Sequence, residues 1–229
     1  MSESHKTIVI SLGGSLVVPD VPDADFVRSF VRTIQHKVDE GYRFLIIVGG
    51  GKTCRRYQDA LTQIRENVSN DELDWLGIFT TQFNAQFVRL AFGSDAYESI
   101  VGDPYDVADI ENSIMIAGGA KPGNSTDLGA VRAAEKLSAS TVINMSNISH
   151  VYDSDPRANP DAEKFENLTW SQYRSYIPKE WLPGLSTPFD PIASKKAEEL
   201  GVTVAIMNGD VVNLEQYLNT GSAEGTIIS

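Results

Sequence analysis

Three glycine clusters, each leaving a short apolar run and entering a segment of helical period, restrict this chain more than any other feature. They are Ser11-Leu12-Gly13-Gly14-Ser15, Gly49-Gly50-Gly51-Lys52, and Gly118-Gly119 followed by Pro122-Gly123-Asn124-Ser125-Thr126-Asp127. Glycines between a strand and a helix bring bare backbone N–H groups to the positive end of a helix dipole, where a phosphate can be cradled. Each cluster alone also serves as a tight strand-to-helix turn. Three of them at strand exits point beyond turn chemistry, because ligands of open α/β sheets gather at the carboxyl ends of the strands. None has Walker A spacing or the dinucleotide fingerprint, so the nucleotide folds built on those motifs fit poorly.

The rest of the chain repeats the alternation. Strands are predicted at 7–12, 44–48, 113–117, 141–145 and 202–207, all β-branched or aliphatic, and helices at 25–40, 52–67, 73–92, 127–138, 191–200 and 213–218. Apolar strands separated by helical segments predict a mainly parallel sheet in an α/β fold. Asp25 is placed to cap the first long helix, Thr126 and Asp127 sit at the N-cap of the helix after the third cluster, and Gly41 and Gly201 fall where helices end. The stretch 153–188 breaks the rhythm with Pro156, Pro160, Pro178, Pro183 and Pro188 and one helical candidate at 170–176. It reads as an excursion above the sheet, of about 35 residues, the size of a functional lid or a crossing to a partner subunit.

Charge narrows the partners. Nineteen Lys+Arg against thirty-one Asp+Glu give −12, a field that repels nucleic-acid backbones and anionic membranes. In this acidic chain Lys52, Arg55 and Arg56 form a tight cationic group beside a glycine cluster, suited to offsetting phosphate charge. No apolar run approaches the roughly 18 residues that span a bilayer. A single cysteine, Cys54, and an N-terminus without an apolar export region lead to the expectation of a cytoplasmic protein. With His5, His36 and His150 scattered, no metal-ligand spacing emerges.

In their order and spacing these pieces resemble the amino-acid kinase superfamily, and within it the archaeal-type uridylate kinases. The carriers are Gly13-Gly14-Ser15, Val48 to Lys52 with Arg55, Gly77-Ile78 through Asn84-Ala85, Gly118-Gly119 with Pro122-Gly123, Ser125-Thr126-Asp127, Ser146-Asn147 with Val151-Tyr152, Asp155-Pro156, Phe189 to Ala193, and Gly225-Thr226-Ile227. The resemblance implies a single three-layer αβα domain over 1–229, its N-terminal part binding the phosphoryl acceptor and its part from about 140 binding ATP.

It further implies ATP-dependent phosphorylation of UMP, with Mg²⁺ carried mainly by the ATP phosphates. Gly13, Gly14, Gly50, Arg55, Asn84, Thr126 and Asp127 would face the acceptor. Gly13, Gly49, Gly51, Ser146, Asn147, Tyr152 and Asp155 would face ATP, and Asp190 would organise its phosphates. Many superfamily members carry a lysine where this chain has Ser11; Lys52 is the first candidate to replace that cation, followed by Lys121 and Lys195. The usual Asn-Val-Asp-Gly-Val-Tyr segment reads Asn147-Ile148-Ser149-His150-Val151-Tyr152, and Phe83 stands before Asn84 where the branch has an arginine. An anion-binding protein with little turnover, or a kinase for another small acceptor, stays open on these departures. Relatives of this kind are dimer-based hexamers. The helix at 73–92, with Trp75, Leu76, Phe79, Phe83, Phe87 and Leu90, holds more large apolar residues than one core stripe needs, so it is either buried between subunits or enclosed within the domain.

Overall fold

The apolar runs become strands and the periodic segments helices in the computed structural model, which describes residues 6–107, 111–180 and 187–229. His5 and Pro183 lie outside the described residues. In chain order the elements are β1 (Lys6–Leu12), α1 (Gly14–Val17), α2 (Ala24–Asp39), β2 (Tyr42–Val48), α3 (Gly51–Ile64), α4 (Asn70–Phe92), β3 (Ile114–Ala117), α5 (Thr126–Leu137), β4 (Thr141–Met145), β5 (Val151–Tyr152), β6 (Lys164–Phe165), β7 (Asn167–Leu168), α6 (Trp170–Ser175), α7 (Pro191–Leu200), β8 (Thr203–Met207), α8 (Val211–Thr220) and β9 (Thr226–Ile228).

The main sheet runs β3-β2-β1-β4-β8-β9-β7, parallel from β3 to β8, with β9 antiparallel to β8. The chain lays β2 and β3 to one side of β1 and then crosses back to set β4 on the other. That reversal opens a crevice at the carboxyl ends of β1 and β4. Side chains along β1 alternate between two cores. Val9 packs with Leu45, Met115, Val142 and Val204 in the core that holds Val131 of α5 and Ala197 of α7. Ile8, Ile10 and Leu12 pack with Phe44, Ile46 and Ile143 in the core that holds Phe30 of α2, Val88 of α4 and Leu214 of α8. Covered on both faces, the strands read as unbroken apolar runs, and the result is the expected three-layer αβα sandwich.

Several predicted details shift for local reasons. Asp23, not Asp25, caps α2: its extended backbone lets its carboxylate accept from the Phe26 N–H at 2.9 Å, while Asp25 sits in the first turn and pairs with Arg28. Ser125, not Thr126 or Asp127, caps α5 by accepting from the Leu128 N–H, which leaves both neighbours in the first helical turn. The helix expected from 73 starts at Asn70, because Ser69 and Glu72 form a reciprocal capping box. Gly41 and Gly201 take positive φ at helix ends as predicted. The 153–188 stretch is only partly an excursion. β6 forms a two-stranded ribbon with β5, but β7 joins the main sheet through β9, and α6 buries Trp170 and Tyr173 in the core. Those two rings hold too much apolar surface to stand off in solvent.

Candidate active site

The first two glycine loops touch backbone to backbone. A Cβ on Gly14 would lie 2.1 Å from the Gly49 carbonyl oxygen, and one on Gly51, whose φ is 62°, would lie 2.5 Å from the Gly14 carbonyl carbon. The loops are strapped to the sheet, since the Gly49 N–H donates to Leu12 O and the Gly13 N–H donates to Met145 O, both at 2.8 Å. Helix α3 begins from Gly50 with no side-chain cap. Its first N–H groups are therefore left for a ligand, and the helix dipole favours an anion there.

Helix α4 holds the second and third loops in place. Asn84, buried, donates from Nδ2 to Gly49 O at 2.9 Å and Gly50 O at 3.3 Å. The Thr81 hydroxyl accepts from the Gly119 N–H at 2.7 Å, Gln82 Nε2 donates to Gly119 O, and Asp74 accepts from the Gly123 N–H at 2.7 Å. Burial pushes the Asp74 carboxyl up against the lowering effect of that N–H. Asn84 thus supports the second loop from behind, and it is not part of the cavity lining. Phe83 is exposed on α4, and Gln82 is the side chain that reaches the third loop. Thr81, Gln82 and Asp74 carry no motif of their own; only Thr81, three residues before Asn84, shares its helix face, and nothing in the sequence pattern marks the other two.

Gly118 and Gly119 line a separate small pocket, whereas the first two loops, with Thr126 and Asp127 at the end of the third cluster, wall a cavity of about 700 Å³ at the switch point. It brings together Gly13, Gly14, Gly49, Gly51, Arg55, Thr126, Asp127, Ser146, Asn147, Tyr152 and Asp155 of the predicted residues; Gly50, Lys52, Asn84 and Asp190 are not in its lining. Arg55 enters the cavity with no hydrogen-bond or ion-pair partner among the described residues. Its neighbours are occupied: Arg56 meets Asp20 at 2.6 Å and Lys52 meets the same carboxylate at 3.5 Å. Lys121 pairs with Asp103, and Lys195 is exposed on α7. Arg157, the other lining arginine, is engaged with Asp155, whose carboxyl it holds below the usual range.

Two acids meet where the sheet ends. Asp127 accepts at Oδ1 from the Ser11 hydroxyl and from Asn144 Nδ2, each at 2.9 Å, and at Oδ2 from the Asp190 N–H at 3.1 Å. Burial first, and the Asp190 charge next among the raising causes, push the Asp127 carboxyl up to about 7 against those hydrogen bonds. Asp190 caps α7 by accepting from the Ala193 N–H at 2.7 Å, and burial raises it as well. Across the cavity, His150 is buried; its Nδ1 has no partner among the described residues, and burial lowers its pKa. Cys54 lines the cavity too, its thiol pushed up by burial.

No group of three or more His, Cys, Asp or Glu side chains gathers to hold a metal among the described residues. The two oxygens of Asp127 already accept from three donors. Such a donor set suits a hard cation held by phosphate oxygens and water more than one caged by protein. Among the described residues no helix is long and apolar enough to cross a membrane.

A doubly wound sandwich whose glycine loops and uncapped helix converge on one unpaired arginine is a phosphate-handling α/β protein, and the chain belongs to the amino acid kinase family, which it matches over residues 6–208. More narrowly, it is similar to uridylate kinases. That of Methanospirillum hungatei is 32% identical over 97% of this chain and 94% of its own length, and that of Pyrococcus abyssi 33% identical over 96% and 98%. The crystal structure of uridylate kinase from Archaeoglobus fulgidus superposes with a TM-score of 0.82 at 28% identity, covering 97% of this chain and 99% of that one. The UMP kinase from Bacillus anthracis shares the fold, with a TM-score of 0.78 at 18% identity over 98% and 96%.

Proposed function

We propose that this chain transfers the terminal phosphoryl group of ATP to UMP, as a cytoplasmic homo-oligomer. One observation carries the reading: Arg55 stands unpaired in the cavity beside the uncapped start of α3, in a chain of net charge −12. Arg55 is exposed and free of protein partners among the described residues, and its planar fork beside the bare N–H groups of α3 matches a phosphate. Arg55, Thr126 and the α3 N-terminus would hold the UMP phosphate. Ser146, Asn147, Tyr152 and Asp155 would line the ATP side, and Gly13, Gly14, Gly49 and Gly51 the track between the two.

Phosphoryl transfer asks the protein mainly for in-line placement and charge neutralisation. The glycine loops, fixed by Asn84, Thr81 and the sheet, supply the placement. Magnesium carried in with ATP would supply charge neutralisation at its phosphates, and no carboxylate of this chain is assigned to hold it. Ser11 brings no cation, and Lys52 is held by an exposed ion pair worth only about 0–1 kcal/mol. A phosphate therefore draws Lys52 from Asp20 at little cost.

The absence of a lysine from the described cavity lining favours, as the second reading, a nucleotide-binding protein with slow turnover. A coupled ADP-release assay with UMP, CMP and AMP, alongside calorimetry of ATP and UMP binding, separates the two. ADP release that depends on UMP supports the kinase. Binding of both nucleotides without ADP release overturns it.

A further inference from the structure

Tyr173 lies outside the cavity lining and is completely buried, yet its hydroxyl makes both hydrogen bonds of one peptide segment beside the acid pair. The hydroxyl donates to Phe189 O at 2.5 Å and accepts from the Phe189 N–H at 2.7 Å. Phe189 is itself fully buried, so neither backbone group has water as an alternative. The ring is locked in turn, edge-on to Trp170, whose indole Nε1 donates to Val202 O and whose ring packs on Phe189. The next residue is Asp190, and its N–H is the sole described donor to Asp127 Oδ2. Three residues beyond Tyr173, Tyr176 and then Ile177 line the cavity. A continuous path of hydrogen bonds and packed rings thus runs from that wall of the cavity, through α6, to the carboxylate between Ser11 and Asn144.

We infer that Tyr173 is a positioning residue for the reaction: by clamping the Phe189 backbone it aims the Asp190 N–H at Asp127 and so sets the orientation and proton affinity of that carboxylate. A buried polar network that is fully satisfied specifies one arrangement, and a half-satisfied one does not. Without the clamp the Phe189 segment is free to shift, and a donor 3.1 Å from its acceptor is lost with a small rotation. The titratable groups facing Asp127 are the Asp190 carboxyl and the Tyr173 hydroxyl. Burial keeps that hydroxyl protonated, so it remains both donor and acceptor through the working pH range.

Tyr173→Phe keeps the ring packing and removes only the hydroxyl. Its effect is read first by carbon-13 NMR titration of the Asp127 carboxyl in the full-length protein. Losing a hydrogen bond to the ionised form favours the protonated one, so the midpoint rises by about half a pH unit or more. In turnover, kcat falls about tenfold while KM for UMP changes less than about threefold, because Arg55 and Thr126 are untouched. Leu45→Val, which thins the same core at β2 away from the clamp, lowers the melting temperature and leaves the midpoint in place. A merely structural Tyr173 would make the two variants alike, each melting earlier with the Asp127 midpoint unmoved, and that result overturns the inference. Should Tyr173→Phe fail to fold, native-state hydrogen exchange of the wild type reads the clamp directly: the Phe189 and Asp190 amides should be protected together to the level of the core strands, and a freely exchanging Asp190 amide overturns the inference. The kcat arm rests on the kinase reading, whereas the titration does not. A raised midpoint in a protein that never phosphorylates UMP would refute that reading and support the clamp.

Discussion

Arg55 and Lys52 are three residues apart on α3 and have opposite surroundings, so removing each should damage a different kinetic constant. Arg55 is preset in the cavity and contacts the acceptor phosphate in the ground state. Arg55→Ala should raise KM for UMP by the 1.5–3 kcal/mol typical of a lost charge-assisted contact, about ten- to a hundredfold, with an unchanged melting temperature. Lys52 must first leave Asp20, so its contact develops with the transferring charge, and Lys52→Ala should lower kcat more than it raises KM. Steady-state kinetics of both variants checks the contrast, and equal loss in KM alone would remove Lys52 from the chemistry. Asp127 gives a prediction in pH. Its carboxyl is raised to about 7 from an unfolded value near 3.9, so the folded state binds the extra proton. Its stabilising contribution is full below about pH 4 and is lost as pH rises through about 7. Asp127→Asn imitates the protonated form, so the ligand-free variant should melt above the wild type at pH 8, with the gap closing toward pH 4, while kinase activity falls at both. Thermal scans across that range test the sign. Arg55 was legible as a cation beside glycines. The Asp127–Asp190 contact was not, because a sequence separation of 63 hides a meeting that only the sheet order creates.

Gly14 stands for what the elements ask of the loops. Its position is fixed by a packing demand, because an added Cβ would meet the Gly49 carbonyl oxygen at 2.1 Å and the Gly51 nitrogen at 2.5 Å, both backbone atoms that cannot rotate away. Gly14→Ala should therefore push the β1 and β2 loops apart, costing about 1–3 kcal/mol of stability and most of the activity. By contrast, Gly102→Ala, with nothing within 4 Å of the added carbon, should leave both nearly unchanged. Chemical denaturation of the two variants measures the difference. The strands and long helices were readable because burial on both faces writes unbroken apolar runs, and their glycine exits marked the cavity in advance. The short elements were not readable. β5, β6, β7 and β9 span two or three residues each, below the length at which period 2 is a signal, and they exist only because the ribbon and the β8 edge supply partners. Asn84 shows the same limit in function: its type and place suggested a ligand contact, and only its carbonyl partners reveal a loop support.

Among the described residues, an apolar stripe on the surface is left unused by the fold itself. Helix α4 turns Ile78, Thr81, Ala85, Val88 and Phe92 inward, and on its outer side it exposes Trp75, Phe79, Phe83 and Leu90, with Phe83 at 75%. Tyr57 and Ile64 of the packed neighbour α3 are exposed as well, at 62% and 81%. The helix is therefore not enclosed within the domain, and the other expectation for its excess of apolar residues, burial against another subunit, is open to test in solution. Residues 75, 79 and 83 lie four apart on one face, so a second copy related by a two-fold axis can lay the same stripe antiparallel against it. Monomeric proteins seldom leave a contiguous apolar patch of this kind in water. Light scattering at micromolar concentration should give a multiple of the single-chain mass. Phe83→Glu should lower it, since a charge at the centre of a dry interface is left without a partner. The cavity lies at the sheet edge and the stripe on the outer face of α4, but the inner face of the same helix holds the second and third glycine loops through Asn84, Thr81 and Gln82. Dissociation should accordingly loosen those loops and raise KM for UMP even though Phe83 touches neither substrate. A wild type that scatters as a monomer, or a Phe83→Glu variant that dissociates with unchanged KM, would separate the assembly from the site.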